Sequence, residues 1–138
     1  MKDHAAIIIQ KGEKILFIKR SEKKKNLPNI WSFPSGTKEE SEDIFLTAVR
    51  EADEELGVSV KAERILTITE LPEYKVRLHF VVCSIVSGEP FIKDQHEIGA
   101  ISWLGFADFF QKYNDEEIGH GLIFLRKNPP LWQGFSGK

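Results

Sequence analysis

GTKEESEDIFLTAVREADEELGV, residues 36–58, is the most informative stretch of this 138-residue chain. Three of its glutamates, Glu51, Glu54 and Glu55, have the spacing i, i+3 and i+4. On an α-helix, which turns by about 100° per residue, side chains at this spacing share one sector of the surface. Like charges in such a sector repel one another, and a hard divalent cation would remove the repulsion by taking the carboxylate oxygens as ligands. The spacing therefore predicts a helix with either a solvated acidic face or a metal site.

The same stretch has the apolar pattern of a helix that packs on a core. Apolar residues recur at i, i+3, i+4, i+7 and i+11: Phe45, Ala48, Val49, Ala52 and Leu56. We expect a helix over residues 41–56, with Ser41 as its N-cap and Gly57 as a left-handed C-terminal stop. Arg50 precedes Glu54 by four residues, so its side chain can pair with Glu54 or with a carboxylate from elsewhere.

The order of the fixed residues in this stretch adds a second signal. Gly36 is followed after five residues by Glu42, and then come Arg50-Glu51, Glu54-Glu55 and Gly57-Val58. This order resembles the Nudix box of the Nudix hydrolase family at every fixed position. The preceding WSFPSG, residues 31–36, resembles the W-x-F-P-G-G lead-in of members that cleave nucleoside triphosphates. Ser35 stands where glycine is usual, which requires a backbone without a positive φ at that position.

The rest of the chain has the pattern of an α/β protein. We expect strands at 5–10, 15–19, 58–69, 74–87 and 100–104, a helix at 108–113, and a last helix that follows Asn114 and ends at Pro129-Pro130. The resemblance implies a Nudix-type α/β/α sandwich, with a mixed sheet, a central loop–helix–loop and C-terminal helices. We expect a single Nudix hydrolase domain over residues 1–138.

Composition excludes several classes of protein. The chain is 41 % hydrophobic and 29 % charged, with a net charge of −2, so no basic excess indicates a nucleic-acid duplex as the main partner. Its one cysteine, Cys83, lies in an apolar run and indicates a small buried hydrophobe. No apolar run reaches the length of about 18 residues that indicates a membrane span, and we expect a cytoplasmic protein, either a monomer or a homodimer.

The resemblance implies a hydrolase that uses Mg²⁺ or Mn²⁺ and needs no organic cofactor. It implies that Glu51, Glu54 and Glu55 are metal ligands, as is the carbonyl of Gly36. The reaction that it implies is attack of metal-activated water on a nucleoside diphosphate linked to another group.

Glu51 is the general base in some members of the family, whereas others use a glutamate on a later loop. Glu97 lies on such a loop, before the last predicted strand, and is a candidate base or further metal ligand. An acid on a surface loop is the alternative. Arg50 is a candidate catalytic residue that we expect to orient a carboxylate rather than to touch the substrate.

Four residues are candidates for contacts with the substrate: Arg20, Tyr74, Arg77 and His79. Each has an ordinary structural role as its alternative. The WSFPSG lead-in favours a MutT-like pyrophosphohydrolase of (d)NTPs, including oxidised ones, whereas the place of Tyr74 resembles that of a base-stacking tyrosine in dinucleoside polyphosphate hydrolases. Hydrolysis of ADP-ribose or a nucleotide sugar is a further alternative. A Nudix module that binds nucleotides without cleaving them is the alternative from another class.

Overall fold

The computed structural model describes residues 1–135 and contains, within them, seven strands and four α-helices. The strands are β1 (Lys2–Lys11), β2 (Lys14–Arg20), β3 (Trp31–Ser32), β4 (Ser35–Thr37), β5 (Ser59–Leu71), β6 (Val76–Ser87) and β7 (Ile98–Leu104). The helices are α1 (Ile44–Leu56), α2 (Phe106–Lys112), α3 (His120–Arg126) and α4 (Pro130–Gln133). Residues 136–138, which the expected domain includes, lie outside the described part of the chain.

All the strands join one mixed sheet, as expected. Its main path is β3-β2-β1-β6-β5, while β4 pairs with β1 and β7 pairs with β2. β1 and β6 are parallel, and the other strand pairs are antiparallel. β4 pairs with His4–Ala6 of β1. This pairing holds Gly36 beside the first half of β1.

The sheet has an apolar cluster on each face, because successive side chains of a strand point to opposite sides. Ile7 of β1 belongs to the cluster that contains Ala52 of α1. Its neighbour Ile8 belongs to the other cluster, with Phe109 of α2 and Leu122 of α3. Helices therefore cover both faces, and the predicted α/β/α sandwich is confirmed.

Helix α1 begins later than predicted. Its N-cap is Asp43, whose carboxylate accepts a hydrogen bond of 2.8 Å from the amide of Leu46. The prediction of Ser41 as the cap is wrong; aspartate is as strong an N-cap as serine, so the choice depends on where the preceding loop turns. Gly57 ends the helix in the left-handed conformation, at φ 61° and ψ 28°, as predicted.

The apolar side of α1 is narrower than predicted. Three of the expected positions are fully buried: Ala48, Ala52 and Leu56. Phe45, in the first turn, is 36 % exposed, so its prediction as a core residue is wrong. Thr47 is buried in its place, and its hydroxyl donates a hydrogen bond of 2.9 Å to the carboxylate of Glu42.

The C-terminal region has two short helices where one was expected. Asn114 and Glu117 form the predicted capping box, but this box starts a 3-10 helix, Asp115–Glu117. The next helix, α3, ends at Arg126, and Pro130 begins α4 instead of ending a helix. Proline fits the first turn of a helix because no intrahelical hydrogen bond needs its missing N–H.

The aromatic tail packs against its own chain. The indole nitrogen of Trp132 donates a hydrogen bond of 2.7 Å to the carbonyl of Leu125. The ring of Phe135 lies 5.3 Å from that of Phe106 and is almost fully buried. α4 thereby closes one end of the cluster that α2 and α3 cover.

Cys83 is buried in the sheet, as predicted, and burial raises the pKa of its thiol to about 12.

Within residues 1–135, none of the helices has the length and apolar character needed to cross a bilayer.

Candidate active site

A cleft of about 380 Å³ lies where α1, β4 and the loop before β7 meet. Its lining contains every catalytic residue and metal ligand predicted from the Nudix box, as well as Glu97 from the later loop. The lining residues are Ser35, Gly36, Thr37, Glu39, Arg50, Glu51, Glu54, Glu55, Asp94 and Glu97. The fold therefore gathers into one cleft the acidic side chains of segments that lie far apart in the sequence.

The three box glutamates differ in their exposure to solvent. Glu55 is buried, the side chain of Glu51 is 14 % exposed and that of Glu54 is 56 % exposed. The pKa of Glu55 is raised to about 10, mainly by burial and also by a hydrogen bond to Glu51 and the negative charges of Glu51, Glu97 and Asp94. A solvated acidic face would not show such burial, and of the three side chains only Glu54 has the exposure of a solvated one.

Gly36 allows β4 to approach α1 closely. A Cβ atom at this position would lie 2.1 Å from both Cδ and Oε2 of Glu51. This distance is a severe overlap, so only glycine leaves room for the Glu51 carboxylate where it lies. The preceding Ser35 has no positive φ, and it pairs with Ala6 of β1 as an ordinary strand residue. A serine in the lead-in is therefore compatible with the loop, as the sequence required.

Arg50 connects the carboxylates of the cleft with one another. Its Nε and one terminal nitrogen donate to the two oxygens of Glu42 at 2.5 and 3.0 Å. The terminal nitrogen that binds Glu42 also donates to the backbone carbonyl of Thr37 at 3.1 Å. The other terminal nitrogen donates to Glu51 at 3.0 Å and to Glu54 at 3.3 Å. This guanidinium is saturated by protein acceptors, which is the arrangement expected of a residue that orients carboxylates.

Replacing Glu42 by glutamine tests this pairing through its pH dependence. The hydrogen bonds from Arg50 are the main cause that lowers the pKa of Glu42 from 4.5 to about 2. A group whose pKa is lower in the folded state stabilises the fold above its unfolded pKa, and this stabilisation is lost as the pH falls through the folded pKa. The difference in free energy of unfolding between wild type and Glu42→Gln should therefore shrink between pH 4.5 and 2. Urea unfolding over this range measures it, with the exposed Glu40→Gln as control, and a difference that stays constant with pH would contradict the pairing.

Glu97 is held by contacts on both sides of its loop. Both of its carboxylate oxygens lie 2.8 Å from Nζ of Lys24. The amide of Ser21 donates to the backbone carbonyl of Glu97 at 2.9 Å. At the start of the same loop, the amide of Lys93 donates to the carbonyl of Glu55 at 3.0 Å, which docks the loop on the end of α1.

The residues of the cleft suit a hard divalent cation by their chemistry, since carboxylate and carbonyl oxygens are the ligands that Mg²⁺ and Mn²⁺ prefer. The burial of Glu55 beside other carboxylates also leaves a repulsion that a cation would remove. The side chains are not arranged for coordination, however: within residues 1–135, no group of three His, Cys, Asp or Glu could hold a metal ion as it stands. Glu51 is turned to Arg50 and Glu97 to Lys24 instead.

A cavity of about 600 Å³ adjoins the cleft at Ser35, which lines both. Two of the predicted substrate-contact residues line this cavity. The hydroxyl of Tyr74 lies 2.8 Å from Nε2 of His120, at the start of α3. The guanidinium of Arg20 donates to the backbone carbonyls of residues 26 and 27 at 2.8 and 3.1 Å, and so fastens the loop at the cavity rim.

Arg77 and His79, the other two candidates, do not line this cavity. Nε2 of His79 lies 2.9 Å from the Asp3 carboxylate, and Arg77 pairs with Asp3 and Glu70 at 3.5 Å each. Because side chains alternate along β6, Leu78 faces the cavity while its two neighbours face the α1 side. The structure thus separates these two residues from Tyr74.

Several lining residues were missed in the sequence. Asp94 lies in the cleft and could have been found, since it belongs to the same short loop as Glu97. His4 and His120 line the large cavity, but no spacing in the sequence relates them to each other or to Tyr74. Only the packing of α3 against the sheet brings these side chains to one place.

The fold and the cleft together define an α/β/α protein with a carboxylate site carried by one helix. The protein-family model described as the NUDIX domain matches residues 2–124 of the sequence, so the chain belongs to the Nudix family.

Individual relatives agree with this membership. The chain is 27 % identical over 108 residues to a protein of Buchnera aphidicola named 8-oxo-dGTP diphosphatase, with 78 % of each protein covered. It is 32 % identical over 118 residues to Nudix hydrolase 10 of Arabidopsis thaliana, over 79 % of this chain. The chain spans only 29 % of the length of Nudix hydrolase 8 of Arabidopsis thaliana and 42 % of the length of Nudix hydrolase 10. A solved structure of a NUDIX hydrolase from Nitrosomonas europaea has the same fold, with a TM-score of 0.76 at 18 % identity, over 99 % of this chain and 91 % of that one.

Proposed function

We propose that this protein is a divalent-metal-dependent pyrophosphohydrolase that cleaves a phosphoanhydride bond of a nucleoside diphosphate derivative, with (d)NTPs, including oxidised ones, as its favoured substrates. The observation that carries the proposal is the cleft in which Glu51, Glu54 and Glu55 meet Glu97 beside the backbone of Gly36. The name of the Buchnera relative supports the substrate class, since this chain and that protein match over most of their lengths.

Glu51, Glu54, Glu55 and the carbonyl of Gly36 would hold Mg²⁺ or Mn²⁺, with Glu97 as a further candidate ligand. Such a metal, when bound, neutralises phosphate charge and lowers the pKa of a bound water. Arg50 sets the positions of Glu51 and Glu54 through the nitrogen that it shares between them.

The large cavity is the candidate site for the nucleoside. It joins the cleft at Ser35, so a substrate can place its phosphates among the carboxylates and its base in the cavity. Tyr74, which is 52 % exposed, offers a ring and a hydroxyl there. The position of Tyr74 in this cavity also supports dinucleoside polyphosphates as a second candidate substrate class. The presence of all three box glutamates argues against a module that only binds nucleotides.

A substrate panel tests the proposal. Release of phosphate or pyrophosphate is measured from NTPs, oxidised dNTPs, dinucleoside polyphosphates and ADP-ribose, with and without Mg²⁺ or Mn²⁺. We expect metal-dependent turnover with the highest kcat/KM for a (d)NTP. Absence of metal-dependent turnover on every compound would contradict the proposal and favour the binding module.

The general base is either Glu51 or Glu97, and Glu97→Gln distinguishes them. If Glu97 is the base, we expect kcat to fall by about 100-fold or more, since a positioned base contributes roughly that much, while the affinity for Mn²⁺ is unchanged. Loss of metal affinity would identify Glu97 as a ligand, and an unchanged rate would make it a bystander. Glu40→Gln, on an exposed side chain outside the cleft, is the control.

The partners in this proposal are small nucleotides and a divalent metal. A cytoplasmic location and a monomeric or homodimeric state stay predictions.

A further inference from the structure

A second cleft, of about 340 Å³, lies beside the cleft that contains Glu51, Glu54 and Glu55, which we call the carboxylate cleft, and has the opposite charge. Its charged and titratable lining consists of Arg20, Lys23, Lys24, Lys25, His96 and Glu97. Four side chains are cationic at neutral pH and one is anionic, whereas the carboxylate cleft has Arg50 as its only Arg or Lys side chain. A recess with this excess of positive charge attracts anions.

Two of these cations are available to a ligand. Lys24 is engaged by Glu97, and Arg20 is engaged by backbone carbonyls. The ammonium groups of Lys23 and Lys25 have no hydrogen-bond or ion-pair partner within residues 1–135, and both side chains are exposed. The loop that carries them is nevertheless fixed, because Arg20 fastens it at one end and the Lys24–Glu97 pair fastens its middle.

The position of this basic cleft relates it to both other recesses. Glu97 lines the basic cleft and the carboxylate cleft, so the two are neighbours. Arg20 and Lys25 line the basic cleft and the large cavity. A phosphate chain that extends from the carboxylate cleft past Glu97 would therefore enter the basic cleft.

We propose that the basic cleft is a subsite for a phosphate beyond the anhydride that is cleaved, with Lys23 and Lys25 as the residues that select for it. This inference rests on the proposed function. ADP-ribose has two phosphates, both of which flank its single anhydride bond, so it leaves none for this subsite. A nucleoside triphosphate or a dinucleoside polyphosphate carries at least one more, which forms charge-assisted hydrogen bonds with lysine. The subsite selects substrates with three or more phosphates over nucleoside diphosphate sugars.

The kinetic test uses the variant Lys23→Met, because Lys23, unlike Lys25, does not line the large cavity that would hold the base of either substrate. We expect kcat/KM for a deoxynucleoside triphosphate to fall by about 3-fold, as for the loss of one partly solvated ion pair, while kcat/KM for ADP-ribose does not change. Lys14→Met is the matched control, since it removes the same charge from an exposed position outside this cleft. An equal fall for both substrates, or an equal fall in the control variant, would overturn the inference.

A binding measurement separates this inference from the proposed function. Titration calorimetry with inorganic tripolyphosphate, in the absence of divalent metal, should show affinity about 10-fold weaker in the Lys23→Met/Lys25→Met protein than in wild type. Absence of binding to wild type, or equal binding to both proteins, would overturn the subsite. If no compound in the panel is hydrolysed, the proposed function fails, and the calorimetry still decides whether this cleft binds a phosphate chain.

Discussion

Glu54→Gln should lower kcat by about 100-fold or more without changing the fold. Glutamine has the size of glutamate but lacks its charge, and the loss of a single group outside the metal's first ligands already costs about 10- to 100-fold. The side chain is 56 % exposed and makes no contribution to either apolar cluster, so stability should hold. Steady-state kinetics at saturating Mg²⁺, with thermal unfolding of the same samples, measures both effects.

Asp53→Asn is the matched control for this variant. Asp53 precedes Glu54 on α1, is exposed and does not line the carboxylate cleft. The control removes the same charge from the same turn, so it reports any general effect of charge on the helix. Full activity of Glu54→Gln at saturating metal would contradict the assignment of Glu54 as a ligand.

Gly36→Ala should have the second large effect. The new Cβ would overlap the Glu51 carboxylate, which lies 2.1 Å from its position, so either the Glu51 side chain or β4 must move. A displacement of about 1 Å in an active site can cost about 100-fold in rate, and we expect a loss of that order in kcat with weaker binding of Mn²⁺.

Gly134→Ala is the control for the Gly36 variant. Gly134 has φ −67°, which alanine adopts freely, and a Cβ atom there would meet nothing within 4 Å. Circular dichroism separates loss of the site from loss of the fold. A folded Gly36→Ala protein with wild-type kcat and metal affinity would show that the contact between β4 and Glu51 has no role in the reaction.

Local features of the chain were predictable because they depend on residues near in sequence. The i, i+3, i+4 spacing puts Glu51, Glu54 and Glu55 on one side of α1, and Gly57 ends this helix because glycine adopts a positive φ without steric cost. The NUDIX domain match confirms the family that the box predicted.

The ends of the elements were less predictable. Ser41 and Asp43 are both good N-caps, and the sequence alone could not choose between them. Phe45 fits the apolar spacing, yet it is exposed. Helical spacing shows on which side of α1 a residue lies, but not how far along α1 the contact with the sheet extends. Pro130 is compatible with the end of one helix or the start of the next.

The sequence by itself determined the family, the helix with its three glutamates, the glycine that ends it, and the order of the main strands along the chain. Tertiary structure alone decided that Glu55 is buried while Glu54 is exposed, that Lys24 holds Glu97, and that Arg77 faces away from the cavity that Tyr74 lines. The reason is physical: periodicity gives the direction of a side chain relative to its own helix or strand. The burial of a side chain and its partner depend on which distant segments the sheet pairing and the docked loops bring against it.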